Sequence, residues 1–419
     1  MVPGDQAWPR ILIVAPPPMN LLAGGGVTLH RLFGRWPADH LAQVYSEDIP
    51  PAIDRAGAYY RVSVPPRQAR PPLLRHAIGL AMMALNRVDT TMVGGRPSRA
   101  LRAFVKDFQP EAILLILASH SLNQIATTLS RDLRIPLVSF VPDDYLPGYP
   151  QRRVRAGRLG RWAMHALVNR GALRALEQSA AHLSISDAMT REYWVRYGYD
   201  FTPVYNSVEM EAWPPASPRD PGGRLRIVYS GSIFDAAQRD ALYDVRDAVD
   251  LLRARGVDAM LQVYSNDSTK PHLREGLQRP PVSTLSPLLP VKRLRDNLQA
   301  ADVLVMPLSF DTVARSYMRL SMPGKLAEFM ASGTPILAYG PPGVVQVDFV
   351  REHEAALVVD HPSIPNLADA LDRLRTDGGL RARLSTRARE VAADTFALPV
   401  VRRRFERVVF GVVGREPPA

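Results

Sequence analysis

The residues with the most informative chemistry lie in one segment, Ser321–Gly340, which reads SMPGKLAEFMASGTPILAYG. A proline near its start and a glycine after Ser332 are typical helix boundaries, so the segment predicts a helix over about 323–332 and then a strand. The amides and the positive dipole end at the start of such a helix favour a phosphate. Lys325 adds a positive charge in the first turn. Glu328, one turn later, can accept hydrogen bonds from vicinal hydroxyls such as those of a ribose.

The same two side chains have a simpler interpretation, because residues three apart on a helix are neighbours. Lys325 and Glu328 could form an ordinary surface ion pair that stabilises the helix by a few tenths of a kcal/mol. The chain has only four lysines, at positions 106, 270, 292 and 325. This scarcity favours a functional interpretation of Lys325.

Short apolar runs alternate with helical stretches along the chain, which predicts parallel sheets, because parallel strands need crossover helices. The runs are Ile11–Ala15, Ala112–Leu117, Leu137–Val141, His182–Ser186, Leu225–Tyr229, Met260–Tyr264, Val303–Met306, Pro335–Tyr339 and Ala356–Val359. The order of strand, glycine-containing turn and helix begins twice, at residues 11 and 225. We therefore predict two Rossmann-like domains of the α/β class, joined by a proline-rich and glycine-rich linker at 213–223.

Glycines follow the first strand of each predicted domain, at the strand end where ligands of parallel sheets bind. Gly24, Gly25 and Gly26 come after the first strand, with a helix predicted from Val27. Gly231 and Ser232 hold the matching place in the second half. Glycine lets the backbone approach a ligand closely, so both loops are candidates for phosphate or acceptor contacts. The alternative is that they are turns and no more.

Titratable residues follow two further predicted strands. His120 comes after Ala112–Leu117, and Asp143 and Asp144 come after Leu137–Val141. These side chains could accept a proton or bind sugar hydroxyls. The alternatives are a structural histidine and a pair of aspartates that cap the next helix.

Several classes of site and protein are excluded or disfavoured. Cysteine is absent, which excludes disulfides, thiolate zinc sites and a cysteine nucleophile. No spacing typical of metal ligands occurs, and no Gly-x-Gly-x-x-Gly follows either first strand, which argues against nicotinamide enzymes. The N-terminus lacks the pattern of a signal peptide, and the longest apolar run, Ala77–Leu85, is too short to span a membrane. We expect a cytoplasmic protein.

The formal charge of +11 is concentrated in one stretch. Residues 151–175 hold seven arginines and no acidic residue, with an apolar stripe at helical spacing that includes Trp162. Such a helix could contact an anionic membrane surface, which would place the protein on the inner face of the cytoplasmic membrane. The alternative is a core-packed helix with a solvated face. No nucleic-acid-binding motif occurs, so we expect no nucleic-acid partner.

Segment 321–340 resembles the nucleotide-sugar motif of GT-B glycosyltransferases of the retaining group 1 type. In that family a helix with Glu in a Lys-x-x-Glu-x-x-Ala-x-Gly context precedes a strand that begins with Pro and Ile or Val. The stretches 294–307, 185–198 and 204–208 resemble neighbouring parts of the same family. One position departs from it: Leu320 stands where the Glu-x7-Glu pattern of the family has its first glutamate, a residue usually near the donor sugar.

The resemblance implies two Rossmann-like domains that face each other across a cleft. Residues 1–208 would bind the acceptor, residues 209–398 the donor, and a helix in 399–419 would pack back on the first domain. The expected donor-binding residues are Gly231, Ser232, Ser321, Gly324, Lys325, Leu326 and Glu328. Gly24, Gly25 and Gly26 would form the acceptor or phosphate loop. A retaining enzyme needs no strong base, whereas an inverting one would take His120, Asp143 or Asp144 as its catalytic residue.

The expected activity is sugar transfer from a nucleotide diphosphate-sugar donor to a hydroxyl acceptor, a glycan or lipid-linked glycan of the bacterial envelope. The resemblance implies no metal and no cofactor, with a helix dipole and basic side chains in place of a divalent ion. An epimerase or phosphorylase on the same scaffold is one alternative. A non-catalytic protein that binds sugar nucleotides is another, and Leu320 is the best argument for it.

Overall fold

The computed structural model describes residues 8–21, 24–62, 92–93, 96–144, 169–215 and 223–418. They belong to two compact units: Met1–Tyr205 with Val401–Ala419, and Asn206–Val400. Most of the basic stretch 151–175 and of the linker 213–223 lies outside the described residues, so the hypotheses for these segments stay predictions. Within the described parts of the chain, no helix is long and apolar enough to cross a membrane.

The first unit is built on a seven-stranded, entirely parallel sheet with the order β3-β2-β1-β6-β7-β8-β9. The strands of this sheet are β1 (Ile11–Ala15), β2 (Leu41–Tyr45), β3 (Ala58–Arg61), β6 (Ala112–Ile116), β7 (Leu137–Val141), β8 (Ala181–Ser184) and β9 (Phe201–Pro203). Two further strands, β4 (Met92–Val93) and β5 (Arg96–Pro97), pair with each other in a separate antiparallel ribbon. Every residue of β1, β2, β6 and β7 is buried, as expected for strands covered on both faces.

In the described part of the first unit, four helices have named bounds, and three of them begin at a capping serine. They are α1 (Gly24–Leu32), α2 (Arg99–Phe108), α3 (His120–Leu133) and α4 (Asp187–Tyr197), and residues 169–178 are also helical. The side chains of Ser98, Ser119 and Ser186 accept hydrogen bonds from first-turn amides of α2, α3 and α4, which satisfies donors that have no partner within the helix.

The second unit has a six-stranded parallel sheet with the order β12-β11-β10-β13-β14-β15. Its strands are β10 (Leu225–Ser230), β11 (Ala259–Tyr264), β12 (Ser283–Ser286), β13 (Val303–Pro307), β14 (Ile336–Tyr339) and β15 (Leu357–Val359). Its helices are α5 (Asp240–Ala254), α6 (Pro271–Leu277), α7 (Val291–Gln299), α8 (Thr312–Met318), α9 (Gly324–Ser332), α10 (Val345–Glu352), α11 (Ile364–Thr376) and α12 (Gly378–Val391). A π-helical turn, Asp235–Arg239, precedes α5.

The last helix, α13 (Leu398–Gly411), carries the chain into the terminal part of the first unit. Phe405 packs edge-on against Phe33, with ring centroids 5.0 Å apart, and Phe410 lies 5.3 Å from the ring of Trp36. The guanidinium of Arg402 donates to the carbonyl of Arg31. Buried aromatic contacts therefore hold the chain end on α1 and the residues that follow it.

The predicted α/β fold class with two Rossmann-like domains is confirmed, and a strand is present at each predicted run. The sequence analysis did not predict β2, β3, β4, β5, β9 and β12. In β2 the apolar pattern is interrupted by Gln43, which is fully buried. Its side-chain oxygen accepts from the Met19 amide at 2.8 Å and its nitrogen donates to the Pro17 carbonyl at 2.9 Å. A polar residue is thus tolerated in the core because it ties down the turn after β1.

Arg381 fastens two helices of the second unit. It is buried on α12, and its Nη1 donates to the carbonyls of Leu374 and Arg375 at 2.9 and 2.7 Å. These carbonyls lie in the last turn of α11, where no amide of the same helix can reach them.

We expect Arg381→Met to lower the free energy of unfolding of the second unit by about 2–4 kcal/mol, because two carbonyls lose a charged donor. Arg383→Met, an exposed position on the same helix, is the matched control and should cost less than about 0.5 kcal/mol. Urea denaturation of both variants measures the difference. Equal losses would show that Arg381 does not fasten α11.

Candidate functional site

Helix α9 leaves only one side partly open. It begins after Pro323, which is its N-cap residue, and ends at Gly333, whose φ of 74° is typical of a glycine that terminates a helix. All residues from Leu326 to Ser332 except Glu328 are buried. Lys325 and Glu328 are partly exposed and lie three residues apart, so they share the open side of the helix.

The amine of Lys325 is held by a tyrosine. Its Nζ donates to the hydroxyl of Tyr229 at 2.7 Å and lies 4.3 Å from the centre of the Tyr229 ring. Burial lowers the pKa of the Lys325 amine to about 7. Among the described residues Lys325 has no carboxylate partner, so the surface ion pair with Glu328 that the spacing allows is not formed.

Gly231 is the residue that makes room for this lysine. Its φ of 138° is a conformation that side-chain-bearing residues rarely adopt. A Cβ atom at this position would lie 3.2 Å from Cδ and 3.4 Å from Nζ of Lys325. The structure thus brings Tyr229 and Gly231 together with Lys325, which follows them by almost one hundred positions in the sequence.

The amides of this loop are not equally available. We expected Gly231 and Ser232 both to offer their amides to a diphosphate, but the Gly231 amide donates to the carbonyl of Tyr264 at 3.0 Å. The Ser232 amide has no such partner among the described residues. The Ile233 amide donates to Asp267 at 2.8 Å. Ser232 is therefore the residue of this turn whose amide remains for a ligand.

The loop that leads into α9 is fixed by two side-chain amides. Asn206 donates to the carbonyl of Met322 at 3.0 Å, and Gln346 donates to the carbonyl of Ser321 at 3.5 Å. Leu320, in the place of the first glutamate of the family pattern, is 4% exposed. A carboxylate at position 320 would therefore need a different loop conformation from the one observed.

Two of the predicted donor-binding residues of α9 differ in their access. Gly324 is exposed at the start of the helix, close to the side chain of Asn206. Leu326 is fully buried, and its amide donates to the carbonyl of Pro323 at 3.1 Å. The structure thus leaves Gly324 open to a ligand and uses both the side chain and the amide of Leu326 internally.

The predicted glycine loop of the first unit is the first turn of α1 and not a loop before it. Gly24 is exposed with open space around it. A Cβ on Gly26 would lie 2.5 Å from the carbonyl oxygen of Pro18 and 2.6 Å from the side-chain nitrogen of Asn20. Close packing on this turn explains Gly26, while Gly24 keeps the freedom to contact a ligand.

His120 is the first residue of α3 and is 6% exposed. Neither ring nitrogen has a hydrogen-bond partner in the described structure, and a Cβ on Gly171 would lie 2.8 Å from Nδ1. Burial lowers the pKa of His120, and the positive charge of Arg174 adds to the effect. The ring therefore favours its neutral form, and its two nitrogens are buried without a partner in the described structure.

The two aspartates after β7 have different surroundings. Asp144 accepts from the hydroxyl of Tyr193 at 3.0 Å and from the guanidinium of Arg196 at 3.0 and 3.2 Å. Asp143 is exposed. Because Asp144 is already the centre of a buried ion pair with α4, it is a poorer general base than His120. Nothing in the local sequence indicates Arg196 as its partner, 52 residues away.

The residue that sequence reasoning missed is Tyr229. It ends an apolar run directly before Ser-Gly-Ser, and an aromatic residue at that place is usually part of the core.

No group of three or more His, Asp or Glu side chains in the described residues could hold a metal ion.

Comparisons with known proteins agree on the class of fold. Residues 224–377 match the family described as Glycosyl transferases group 1. The chain is similar to sucrose-phosphate synthase from Thermosynechococcus elongatus, at 13% identity and a TM-score of 0.68, over 97% of this chain and 99% of that one. It is also similar to Anabaena HepE in complex with UDP, at 12% identity and a TM-score of 0.63, over 96% and 99%.

A third similar structure is WaaG, a glycosyltransferase involved in lipopolysaccharide biosynthesis, at 16% identity and a TM-score of 0.60, over 96% of this chain and 100% of that one. No curated protein sequence matches the chain significantly. At these identities the structural similarities establish the fold, and the family match establishes the kind of domain in the second unit.

Gly231→Ala should destabilise the protein by about 2–4 kcal/mol, because the new Cβ adds crowding against Lys325 to backbone strain. Gly256→Ala is the control: its φ is 86°, but a Cβ there meets no atom within 4 Å, so strain alone should cost about 1 kcal/mol. Urea denaturation compares the two. A Gly231→Ala loss no larger than that of Gly256→Ala would contradict the crowding.

Proposed function

We propose that this chain, whose residues 224–377 form a group 1 glycosyltransferase domain, transfers a sugar from a nucleotide diphosphate-sugar to a hydroxyl acceptor. The observation that carries the proposal is the position of the Lys325 amine, next to Gly231 and at the first turn of α9. A cation, the free amides of a helix start and the Ser232 amide converge there. These are the groups that bind a diphosphate.

Glu328 supplies the second part of donor recognition. It lies one turn after Lys325 on the same open side of α9. With the phosphates at the start of the helix, a carboxylate one turn further along can accept hydrogen bonds from the two ribose hydroxyls. HepE, one of the similar structures, binds UDP and UDP-glucose, which makes uridine nucleotides the first donors to examine.

The proposed reaction uses no metal ion, because Lys325 and the dipole of α9 can balance the charge of the leaving diphosphate. The resemblance favours retention of the anomeric configuration. If a base takes part, the unpartnered ring of His120 suits that role better than Asp144. The proposed acceptor is a glycan or lipid-linked glycan of the bacterial envelope, with the basic stretch 151–175 as its membrane contact on the cytoplasmic side.

One observation favours a different function. The buried Leu320 leaves the site without the glutamate that usually lies near the donor sugar. A protein that binds sugar nucleotides without turnover would tolerate this change, whereas a transferase must orient its donor sugar by other groups. Incubation with UDP-glucose and related donors, with and without a lipid and glycan extract, separates the two. Release of UDP that needs the extract supports transfer, and binding without release supports the second function.

Glu328→Ala should lower kcat/KM by about 10- to 150-fold, because it removes a charged hydrogen bond worth about 1.5–3 kcal/mol. Glu352→Ala, at an exposed position on α10, is the matched control and should leave kcat/KM within about twofold. Release of the nucleotide diphosphate at sub-saturating donor measures both. Normal turnover by a correctly folded Glu328→Ala variant would contradict the role of Glu328.

The affinity for UDP should fall as the pH rises through 7. The amine of Lys325 has its pKa lowered to about 7 in the ligand-free protein, and an anionic diphosphate binds its ammonium form. Between pH 6.5 and 8.5 we expect a loss of about 20-fold, since at most one proton is taken up on binding. Isothermal titration calorimetry measures it.

The control for this pH dependence is Lys325→Arg, because a guanidinium stays charged over the whole range and should remove the dependence. An equally steep fall of affinity in Lys325→Arg would assign the dependence to a different group.

A further inference from the structure

Tyr229 occupies the junction between the core of the second unit and the Lys325 site. It lies near the end of β10, is fully buried and belongs to the main core cluster of this unit. Its hydroxyl donates to the carbonyl of Ser232 at 2.7 Å and accepts from Nζ of Lys325 at 2.7 Å. A single oxygen atom thus joins the lysine to the turn that follows β10.

The direction of these two hydrogen bonds is fixed by chemistry. The carbonyl of Ser232 can only accept, so the proton of the Tyr229 hydroxyl must point at it, and the phenol oxygen can then only accept from Lys325. Burial raises the pKa of Tyr229, and the charge of Asp267 adds to the effect. The phenol therefore keeps its proton, and the arrangement holds whether or not the amine is protonated.

Two acidic side chains neighbour this arrangement, Asp267 and Glu328, and in the described part of the chain neither forms an ion pair with Lys325. Asp267, on the loop after β11, accepts from Lys270 at 2.8 Å and from the Ile233 amide. Glu328 is the acidic neighbour on the helix of Lys325 itself. A lysine with a four-carbon stem usually moves its amine to water, so something must hold this one in place, and the contact that does so is Tyr229.

We propose that Tyr229 is a positioning residue for Lys325: its ring and hydroxyl keep the amine beside Gly231 and Ser232, where it meets the phosphates of the donor. This inference rests on the proposed function for the identity of the ligand. The positioning itself is a property of the ligand-free protein. The two can therefore be tested separately.

The first test uses the scarcity of lysine. With 13C at the lysine Cε, the protein gives four lysine signals, and the signal of Lys325 is the one that Lys325→Arg removes. In the wild-type protein this signal should titrate near pH 7. In Tyr229→Phe, which keeps the ring and loses the hydroxyl, the amine should turn to solvent and the midpoint should rise by at least about 2 pH units toward the ordinary lysine value.

Tyr339→Phe is the matched control. Tyr339 is a buried tyrosine of the same sheet, on β14, and its hydroxyl donates to Asp244 at 2.7 Å and has no contact with Lys325. Its loss should leave the Lys325 midpoint within about 0.5 pH units of the wild type. A Tyr229→Phe midpoint that stays unchanged or falls, or one that rises equally in Tyr339→Phe, would overturn the proposal.

The second test uses UDP as the probe. At pH 6.5, where most of the amine is charged in every variant, Tyr229→Phe should bind UDP about 5- to 20-fold more weakly than Tyr339→Phe, because the misplaced amine no longer meets the phosphates. Equal affinities would overturn the link between the positioning and the ligand. If the wild-type protein binds no nucleotide, the proposed function fails, while the lysine titration still decides the role of Tyr229.

Discussion

Every strand pair in the two large sheets is parallel, and this constraint determines where polar chemistry can lie. A parallel strand must be followed by a crossover segment that returns the chain to the end of the sheet at which the strands begin. The central strands, such as β1, β6, β7, β13 and β14, are buried on both faces, so their side chains must be apolar or fully satisfied. Ligand-binding groups are then confined to the turns at the carboxyl ends, which is where His120, Asp144, Gly231 and Ser232 are found.

The candidate sites of the two units use this edge in different electrostatic ways. The second unit presents an amine whose charge is marginal at neutral pH, next to unpartnered amides, and such a set recognises an anion. The first unit has a buried, uncharged imidazole, His120, and an ion pair between Asp144 and Arg196 in which the two charges compensate each other. Such a set suits a neutral hydroxyl compound better than a phosphate.

Local rules were sufficient where the information is local. Pro323 and Gly333 mark the ends of α9, and the apolar runs mark nine of the strands within one or two residues. They failed where the decisive partner is distant. The strand β2 was missed because it contains the polar Gln43, whose hydrogen-bond partners belong to the turn after β1. From the sequence alone Asp144 is a candidate base, because its ion-pair partner, Arg196, lies 52 residues away. Tyr229 looks like core because its partner, Lys325, lies almost one hundred residues later.

The scarcity of lysine in a chain rich in arginine acquires a chemical meaning at position 325. A buried site without its ligand favours a neutral side chain, since a buried charge without a counter-ion is costly. A site that binds a diphosphate favours a cation instead. Guanidinium is a cation under both conditions, whereas an amine beside Tyr229 can release its proton to the solvent and recover it when the anion arrives. Under the proposed function, lysine is therefore the side chain that suits both the empty and the diphosphate-bound site.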